Sequence, residues 1–240
     1  MFNELINDDK GSIYIDGYKY FFKRNDAYVE ILVEKIMDLF YLNHVHYIPI
    51  RVNDKDYYIS KDLNSDGTFI TAEDMGLISS NLDDIRDFIR NRFPNNYEYL
   101  FNDILKMYYM DLMILNIDRS NSNWGFFIND KDVNIYLLDN DLSFIDYKSY
   151  FTSLDNNTYK DSKLEIYNIF NSFSDKDIEL FYDMYSLLDY DMLVKLIRET
   201  EIDINKELLY KDNYLERFNT MRWFIENNMK KRIVKKKILS

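Results

Sequence analysis

Two short polar segments of the 240-residue chain, each following an apolar run, carry residues that could support phosphoryl transfer. In LNIDRSNSNWGFF (115–127), Asp118 is followed five positions later by Asn123. In LLDNDLSF (137–144), Asp139 ends a second apolar run. A carboxylate can orient or deprotonate an attacking hydroxyl, and carboxylate and amide oxygens are ligands that suit Mg²⁺. The two segments are therefore a candidate site for transfer from ATP.

Such a transfer also needs a lysine on the α- and β-phosphates, usually steadied by a glutamate on a helix. Lys23 ends the predicted strand YKYFFK (18–23), and Glu30 lies one turn into the helix that follows. Their order and placement suit the lysine–glutamate pair. Glu34, one turn further along, is the main competitor for this ion pair, and we favour Glu30.

A surface turn is the competing interpretation of the same segments. Asp and Asn favour turns because their side chains bond to nearby backbone groups, and this chain is rich in both residues. The spacing D-x-x-x-x-N is therefore weak by itself. Asp139 at a strand end, together with Lys23 and Glu30 upstream, favours a nucleotide site over a solvated turn.

The elements that position these residues can be predicted from turn signals and apolar periodicity. Asp16-Gly17 within 12–23 predicts a β-hairpin, because Asp-Gly supplies the positive φ angles of a type I′ turn. The other predicted elements are a helix over 26–43 with Asp26 as N-cap, a hairpin over 46–60 around Asn53-Asp54, helices over 81–92 and 97–117, a strand pair over 125–128 and 134–138, and helices over 162–171, 175–187, 189–200 and from about 205.

This order of elements predicts an α+β fold with two unlike lobes. We expect a small β-rich N-lobe over 1–68, with hairpins and one helix, and a larger, mostly helical C-lobe over 69–240. The join lies around 62–75. The C-lobe holds the catalytic loop, 118–124, and the metal-binding strand end, 137–141. No Ser/Gly-rich linker separates the lobes, so we expect one domain overall.

In these segments the chain resembles the HipA-like serine/threonine kinases, a bacterial branch of the protein-kinase-like fold that includes toxin kinases of toxin–antitoxin systems. The resemblance runs through YKYFFK (18–23), VEILVEKIMDLF (29–40), YYISKDL (57–63), NIDRSNSNWGFF (116–127) and LLDNDLSF (137–144). It implies a two-lobed kinase fold, ATP and Mg²⁺ as cofactors, a protein substrate with a Ser or Thr acceptor, and an antitoxin-like protein partner.

The same resemblance implies a role for individual residues. It makes Asp118 the catalytic base, Asn123 and Asp139 the Mg²⁺ ligands, and Lys23 with Glu30 the pair that positions ATP. It also brings a hinge segment close to the adenine. That segment consists of Ser60, Lys61, Asp62 and Leu63.

Three features depart from the family pattern. Ser120 stands where many relatives have a histidine, and Asp141 where a glycine commonly follows Asp-Asn. No G-x-G-x-x-G is present, so the phosphate loop would be NDDKGSI (7–13). These departures keep a second hypothesis open, a nucleotide-binding pseudokinase or interaction module. A lipid or small-molecule kinase is the third, because D-R-x-x-x-N before an Asp-bearing strand also resembles phosphoinositide-kinase loops.

Composition restricts the partners and the compartment. A net charge of −12 disfavours direct, diffuse binding to nucleic acid. With no cysteine, no signal-peptide pattern and no apolar run of membrane-spanning length, we expect a cytoplasmic protein. His44 and His46 are the only histidines, and we expect them to be loop or strand residues, not metal ligands. The basic tail, 229–240, is expected to interact with its own helix dipole and the acidic body, with an anionic partner as the alternative.

Overall fold

The computed structural model describes residues 10–23, 28–52, 55–79, 81–116, 118–140, 142–144, 175–200, 214–220, 222–223 and 226–227. Several sequence predictions lie outside the described residues. These are the start of the phosphate loop at 7–9, the N-cap at Asp26, the turn at Asn53-Asp54, the departure at Asp141, the helix over 162–171 and the basic tail.

The first sheet contains two antiparallel hairpins, both as predicted. Strands β1 (Lys10–Ile15) and β2 (Tyr18–Lys23) form one, and β3 (Ile48–Val52) and β4 (Lys55–Lys61) the other. The strand order is β1-β2-β4-β3. Asp16 and Gly17 both have positive φ, 51° and 84°, as a type I′ turn requires.

Helix α1 (Tyr28–Leu39) connects the two hairpins and carries a buried apolar face. Its residues Leu32, Val33, Ile36 and Met37 are fully buried in the main core. Glu30 lies on the same helix and is also buried, at 1% exposure. Burial of a carboxylate is costly unless it is hydrogen-bonded, so its partners matter for the site described below.

A second sheet has the order β5-β6-β7. The hairpin of β6 (Trp124–Ile128) and β7 (Val133–Leu137) confirms the predicted strand pair. Strand β5 (Thr68–Thr71) was not predicted, because four residues between polar segments give no readable alternation. It pairs antiparallel with β6 and places Thr71 opposite Gly125, where a Cβ would lie 2.3 Å from Ile70 O. Only glycine fits at this close approach.

The helices after β5 confirm the predicted ones that fall on described residues. They are α2 (Leu82–Arg92), α3 (Tyr97–Ile114), α4 (Asp175–Leu187) and α5 (Tyr190–Glu199), and residues 214–220 are helical within the predicted last helix. Asn81 caps α2 by accepting from Asp83 N at 2.8 Å, a favourable N-terminal arrangement. Helix α3 is buried along most of its length and packs between α2, α4 and β7.

The architecture confirms the predicted α+β class, with β-hairpins and one helix first and a mostly helical remainder. The division at 68 and 69 stays a prediction, although β5 pairs with β6 and so joins the second sheet. Of the helices within the described ranges, none is both long and apolar enough to span a membrane.

Candidate active site

The predicted site residues surround one cavity of about 810 Å³. Its lining comes from β1, β2, α1, β4 and the residues that flank the β6–β7 hairpin. Every predicted site residue except Asp118 contributes: Lys23, Glu30, Ser60, Lys61, Asp62, Leu63, Asn123 and Asp139. Segments far apart in the sequence therefore converge on one cavity, and the roles assigned to their residues stay predictions.

Asp118 is linked to this cavity through Asn123. The side-chain Nδ2 of Asn123 donates to the backbone oxygen of Asp118 at 2.6 Å and lies 3.4 Å from Asp118 Oδ2. This contact leaves the amide oxygen of Asn123 as the atom suited to a metal. Leu138 N donates to Asn123 O at 2.9 Å, so the next residue, Asp139, is held beside Asn123.

Asp139 has an unusual backbone and an unusual carboxylate. Its φ is 45°, in the left-handed region that costs a non-glycine residue energy and often marks functional sites. Its side chain is 42% exposed, yet Oδ1 is buried and has no hydrogen-bond donor among the described residues. The Lys23 Nζ lies 3.6 Å from that oxygen. A buried oxygen without a donor, in a cavity that Asn123 also lines, fits the hard ligands that Mg²⁺ takes.

Glu30 fastens α1 to the strand end. Both of its carboxylate oxygens accept from Asn140 N, at 3.0 and 2.9 Å. Lys23 and Glu30 line the same cavity, and the ion pair between them stays a prediction. The competitor, Glu34, lies outside the cavity lining and bonds to His46 and Tyr47 instead.

The hinge segment is already held by local hydrogen bonds. Asp62 N donates to Lys19 O at 2.9 Å, and Asp62 Oδ1 accepts from Asn64 N at 3.0 Å. Lys61 Nζ donates to Asp66 at 2.8 Å. The Asp62 amide is thus engaged within the protein, and a role for this segment at the adenine stays a prediction.

A buried arginine braces the loop, and the sequence interpretation missed it. Arg119 is 1% exposed and uses all five N–H donors that a guanidinium has. Two bond to Asp111, at 2.9 and 3.1 Å, and two reach Asn123 O and Leu138 O, each at 2.9 Å. The fifth reaches Asn140 Oδ1. One side chain therefore holds both polar segments in register.

Asp111 balances the charge of Arg119 in the core. Its side chain is fully buried and also accepts from Asn116 Nδ2 at 3.1 Å. Burial raises the pKa of Asp111, and the Arg119 guanidinium acts in the opposite direction. Asp111, among the apolar residues of the second half of α3, was a signal in the sequence, because a buried charge requires a partner. Arg119, beside Asp118, was the natural candidate.

Tyr47 links the segment after α1 to Asp139. Its hydroxyl oxygen accepts from Asp139 N at 3.1 Å. Burial, followed by the nearby Glu30 carboxylate, raises the pKa of Tyr47 well above its ordinary value. The phenol therefore stays protonated and neutral beside the strained residue.

The Ser120 departure falls in a loop that has other supports. Ser120 Oγ lies 2.7 Å from Ser122 Oγ. Asn121 Nδ2 donates to Leu77 O and Ser79 O, at 2.8 and 3.1 Å. The loop thus has bracing hydrogen bonds without a histidine at position 120.

Comparison with known proteins identifies the fold. No family model matches the sequence, and no curated protein matches it significantly. Among solved structures, the chain is similar to the proinflammatory kinase CtkA of Helicobacter pylori, with a TM-score of 0.62 and 19% identity over 90% of this chain and 89% of that chain. This similarity shows a kinase-like fold.

Two more distant structures are also similar to the chain. One is HipA of Shewanella oneidensis MR-1, solved with HipB and operator DNA, with a TM-score of 0.49 and 11% identity over 93% of this chain and 66% of that chain. The other is WaaP in complex with acyl carrier protein, with a TM-score of 0.39 and 12% identity over 87% of this chain and 84% of that chain.

Proposed function

We propose that the protein is an ATP- and Mg²⁺-dependent kinase that transfers the γ-phosphoryl group to a Ser or Thr hydroxyl of a protein. The observation that carries this proposal is the convergence of Lys23, Asn123 and Asp139 on one cavity within a kinase-like fold. These residues come from segments about a hundred positions apart, and a solvated surface turn would not require them to meet.

In this mechanism the acceptor oxygen forms a bond to the γ-phosphorus while the bond from that phosphorus to the β–γ bridging oxygen breaks, and ADP leaves with the electron pair. Asp118 orients the hydroxyl and accepts its proton. Asn123 and Asp139 would hold Mg²⁺, which neutralises charge on the phosphates when bound. Lys23 supplies a positive charge at the same end of the cavity, and Arg119 keeps the loop in place.

Label transfer from γ-labelled ATP tests the proposal. The purified full chain is incubated with Mg²⁺ and dephosphorylated casein as a generic acceptor, and phosphoamino-acid analysis identifies the labelled residue. We expect label on Ser or Thr, in the chain or in casein. Asp118→Asn should lower the rate by about a hundredfold or more. Asp130→Asn makes the same chemical change at an exposed turn position and should leave the rate unchanged.

Each other outcome identifies a different function. Transfer that persists undiminished in Asp118→Asn contradicts the assigned base. Thermal stabilisation by Mg·ATP without any transfer favours the pseudokinase, which the absence of a glycine-rich loop motivates. Faster transfer to lipid vesicles than to protein favours the lipid kinase.

The finer proposal, a HipA-like toxin kinase with an antitoxin-like partner, rests on the sequence resemblance alone. Expression of the wild-type chain should then arrest bacterial growth, and Asp118→Asn should relieve the arrest at equal protein level. Equal growth of cells expressing either form contradicts a toxin role that depends on this site.

A further inference from the structure

Glu34, His44 and His46 form a cluster outside the nucleotide cavity. One ligand atom of each lies within 4.8 Å of the others. Val45 and Tyr47 line the cavity and the two histidines do not, which is the alternation expected of extended backbone. The sequence interpretation missed the cluster because Glu34 lies on α1 and meets the histidines only through the fold.

His44 is buried, and its contact with the backbone determines which ring nitrogen is available to a metal ion. Its side chain is 3% exposed, and Nδ1 lies 3.0 Å from Val45 O. A carbonyl oxygen only accepts, so Nδ1 carries the proton and Nε2 holds the lone pair of the neutral ring. Nε2 in turn lies 3.0 Å from Asp38 Oδ1. A metal ion at this position would bind the Nε2 lone pair and the Asp38 carboxylate together.

Glu34 is oriented by the backbone in the way that metal-binding carboxylates often are. Its Oε2 accepts from Tyr47 N at 3.0 Å, and its Oε1 lies 2.7 Å from His46 Nδ1. Hydrogen bonds of this kind fix the direction of a ligand before the metal arrives. The His46 side chain is 74% exposed, so its ring can rotate and an ion can enter from solvent.

We propose that Glu34, His44 and His46, with the Asp38 carboxylate beside His44, bind a divalent transition-metal ion of the Zn²⁺ class. Imidazole and carboxylate donors together suit Zn²⁺, whereas Mg²⁺ prefers oxygen ligands alone. The site is therefore chemically different from the proposed Mg²⁺ site at Asn123 and Asp139. The net charge of −12 favours cations at an open surface site.

The ligand atoms need only a small rearrangement to bind the ion. Around tetrahedral Zn²⁺, with bonds of about 2.0–2.1 Å, neighbouring ligand atoms lie about 3.3 Å apart. The present separations among Glu34, His44 and His46, up to 4.8 Å, can close by rotation of the exposed His46 ring and of the Glu34 carboxylate about its hydrogen bond to Tyr47 N. His44 need not move, because the Val45 carbonyl and the surrounding core hold it.

Imidazole NMR during a Zn²⁺ titration of the full chain, with Mg²⁺ in excess, tests the site. The chain has two histidines and no cysteine, so every side-chain imidazole signal reports on this cluster. We expect both histidine signals to shift and to saturate at one Zn²⁺ per chain. His46→Ala and Glu34→Gln should each weaken Zn²⁺ binding by at least about tenfold.

Two control variants separate this site from other carboxylates. Asp56→Asn changes an exposed strand residue and should leave Zn²⁺ affinity unchanged. Asp139→Asn removes the proposed Mg²⁺ ligand and should also leave Zn²⁺ affinity unchanged, so the two metal proposals can fail separately. Histidine signals that do not move with Zn²⁺, or equal Zn²⁺ affinity in His46→Ala, would overturn the proposal.

Discussion

The two walls of the cavity are held in different ways. The loop wall, residues 118–123 and 138–140, is fastened by the fully buried Arg119 and its five hydrogen bonds. The sheet wall consists of Lys10–Ser12, 21–23 and Ser60–Leu63, and its outer strand is exposed, with Tyr14 at 71%. Among the described residues, the buried cluster on this sheet consists of Phe22, Tyr57 and Ile59, with partly buried hydrophobic residues packed against it.

This difference matches the separate roles that we propose for the loop wall and the sheet wall. Residues that act on the reacting atoms need fixed positions, because small displacements lower rates greatly. In the proposed kinase the sheet wall would cover a nucleotide that must enter and leave, and regions with few buried apolar contacts open at lower free-energy cost.

Arg119→Met should destabilise the protein most. The substitution leaves Asp111 buried without its countercharge, and breaking a buried ion pair on one side costs about 3–5 kcal/mol of unfolding free energy. Urea unfolding of the variant and the wild type measures this difference. Arg51→Met is the control, since Arg51 lies 68% exposed on the sheet, and we expect it to cost less than about 1 kcal/mol. Equal losses in both variants would contradict a specially braced loop wall.

Two glycine substitutions compare the walls directly. At Gly125, beside the loop wall, an added Cβ meets the backbone at Ile70 O and Thr71 Cα, 2.3 and 2.7 Å away. At Gly11, in the sheet wall, it meets the Phe22 ring at 2.9 Å. Backbone cannot give way as a ring can, so Gly125→Ala should cost about 1–3 kcal/mol.

Gly11→Ala should cost less stability than Gly125→Ala. A strand glycine loses more conformational entropy on folding than alanine does, so its replacement offsets about 0.5–1 kcal/mol of the steric cost. Thermal unfolding of the two variants in parallel provides the measurement. A larger loss of stability in Gly11→Ala than in Gly125→Ala would contradict a more rigid loop wall.

Tyr47→Phe tests the support that Tyr47 gives to Asp139 in the loop wall. The change removes the acceptor of Asp139 N, and an unsatisfied buried amide costs about 1–3 kcal/mol. We also expect weaker binding of Mg·ATP, because Asp139 loses a support for its strained backbone. Calorimetry with a non-hydrolysable ATP analogue measures the affinity. Unchanged stability together with unchanged affinity would show that this hydrogen bond does not position Asp139.

Tyr14→Ser should have the smallest effect. Tyr14 is 71% exposed on the edge strand β1, and surface substitutions of this kind usually change stability by less than about 0.5 kcal/mol. Chemical unfolding is again the measurement. A larger loss would mean that the sheet wall contributes more packing than its exposure indicates.

Much of the fold could be predicted because local signals were strong. Asp16-Gly17 determined a hairpin by its φ angles alone, and the long apolar periodicity of α3 identified a buried helix. Strand β5 was not predicted because its antiparallel pairing with β6 depends on a close approach at Gly125, which no local pattern encodes. Short strands held by distant partners are the elements that sequence periodicity detects least well.

The candidate site divides in a similar way. Residues such as Lys23 and Asp139 could be proposed because phosphoryl transfer prescribes their types and order. Their supports could not, since Arg119, Asn140 and Tyr47 are chosen by geometry and not by spacing. The cluster of Glu34 with the two histidines is a further example, assembled from a helix and an extended segment.

The Mg²⁺ dependence of nucleotide binding to the full chain tests most directly whether this cavity is a Mg·ATP site. Isothermal calorimetry with a non-hydrolysable ATP analogue should show binding that Mg²⁺ strengthens in the wild type. Asp139→Asn should weaken the Mg²⁺-dependent affinity by at least about tenfold, whereas Asp130→Asn should not. Binding that is equal with and without Mg²⁺, or equal in Asp139→Asn and wild type, would contradict a Mg·ATP site at this cavity.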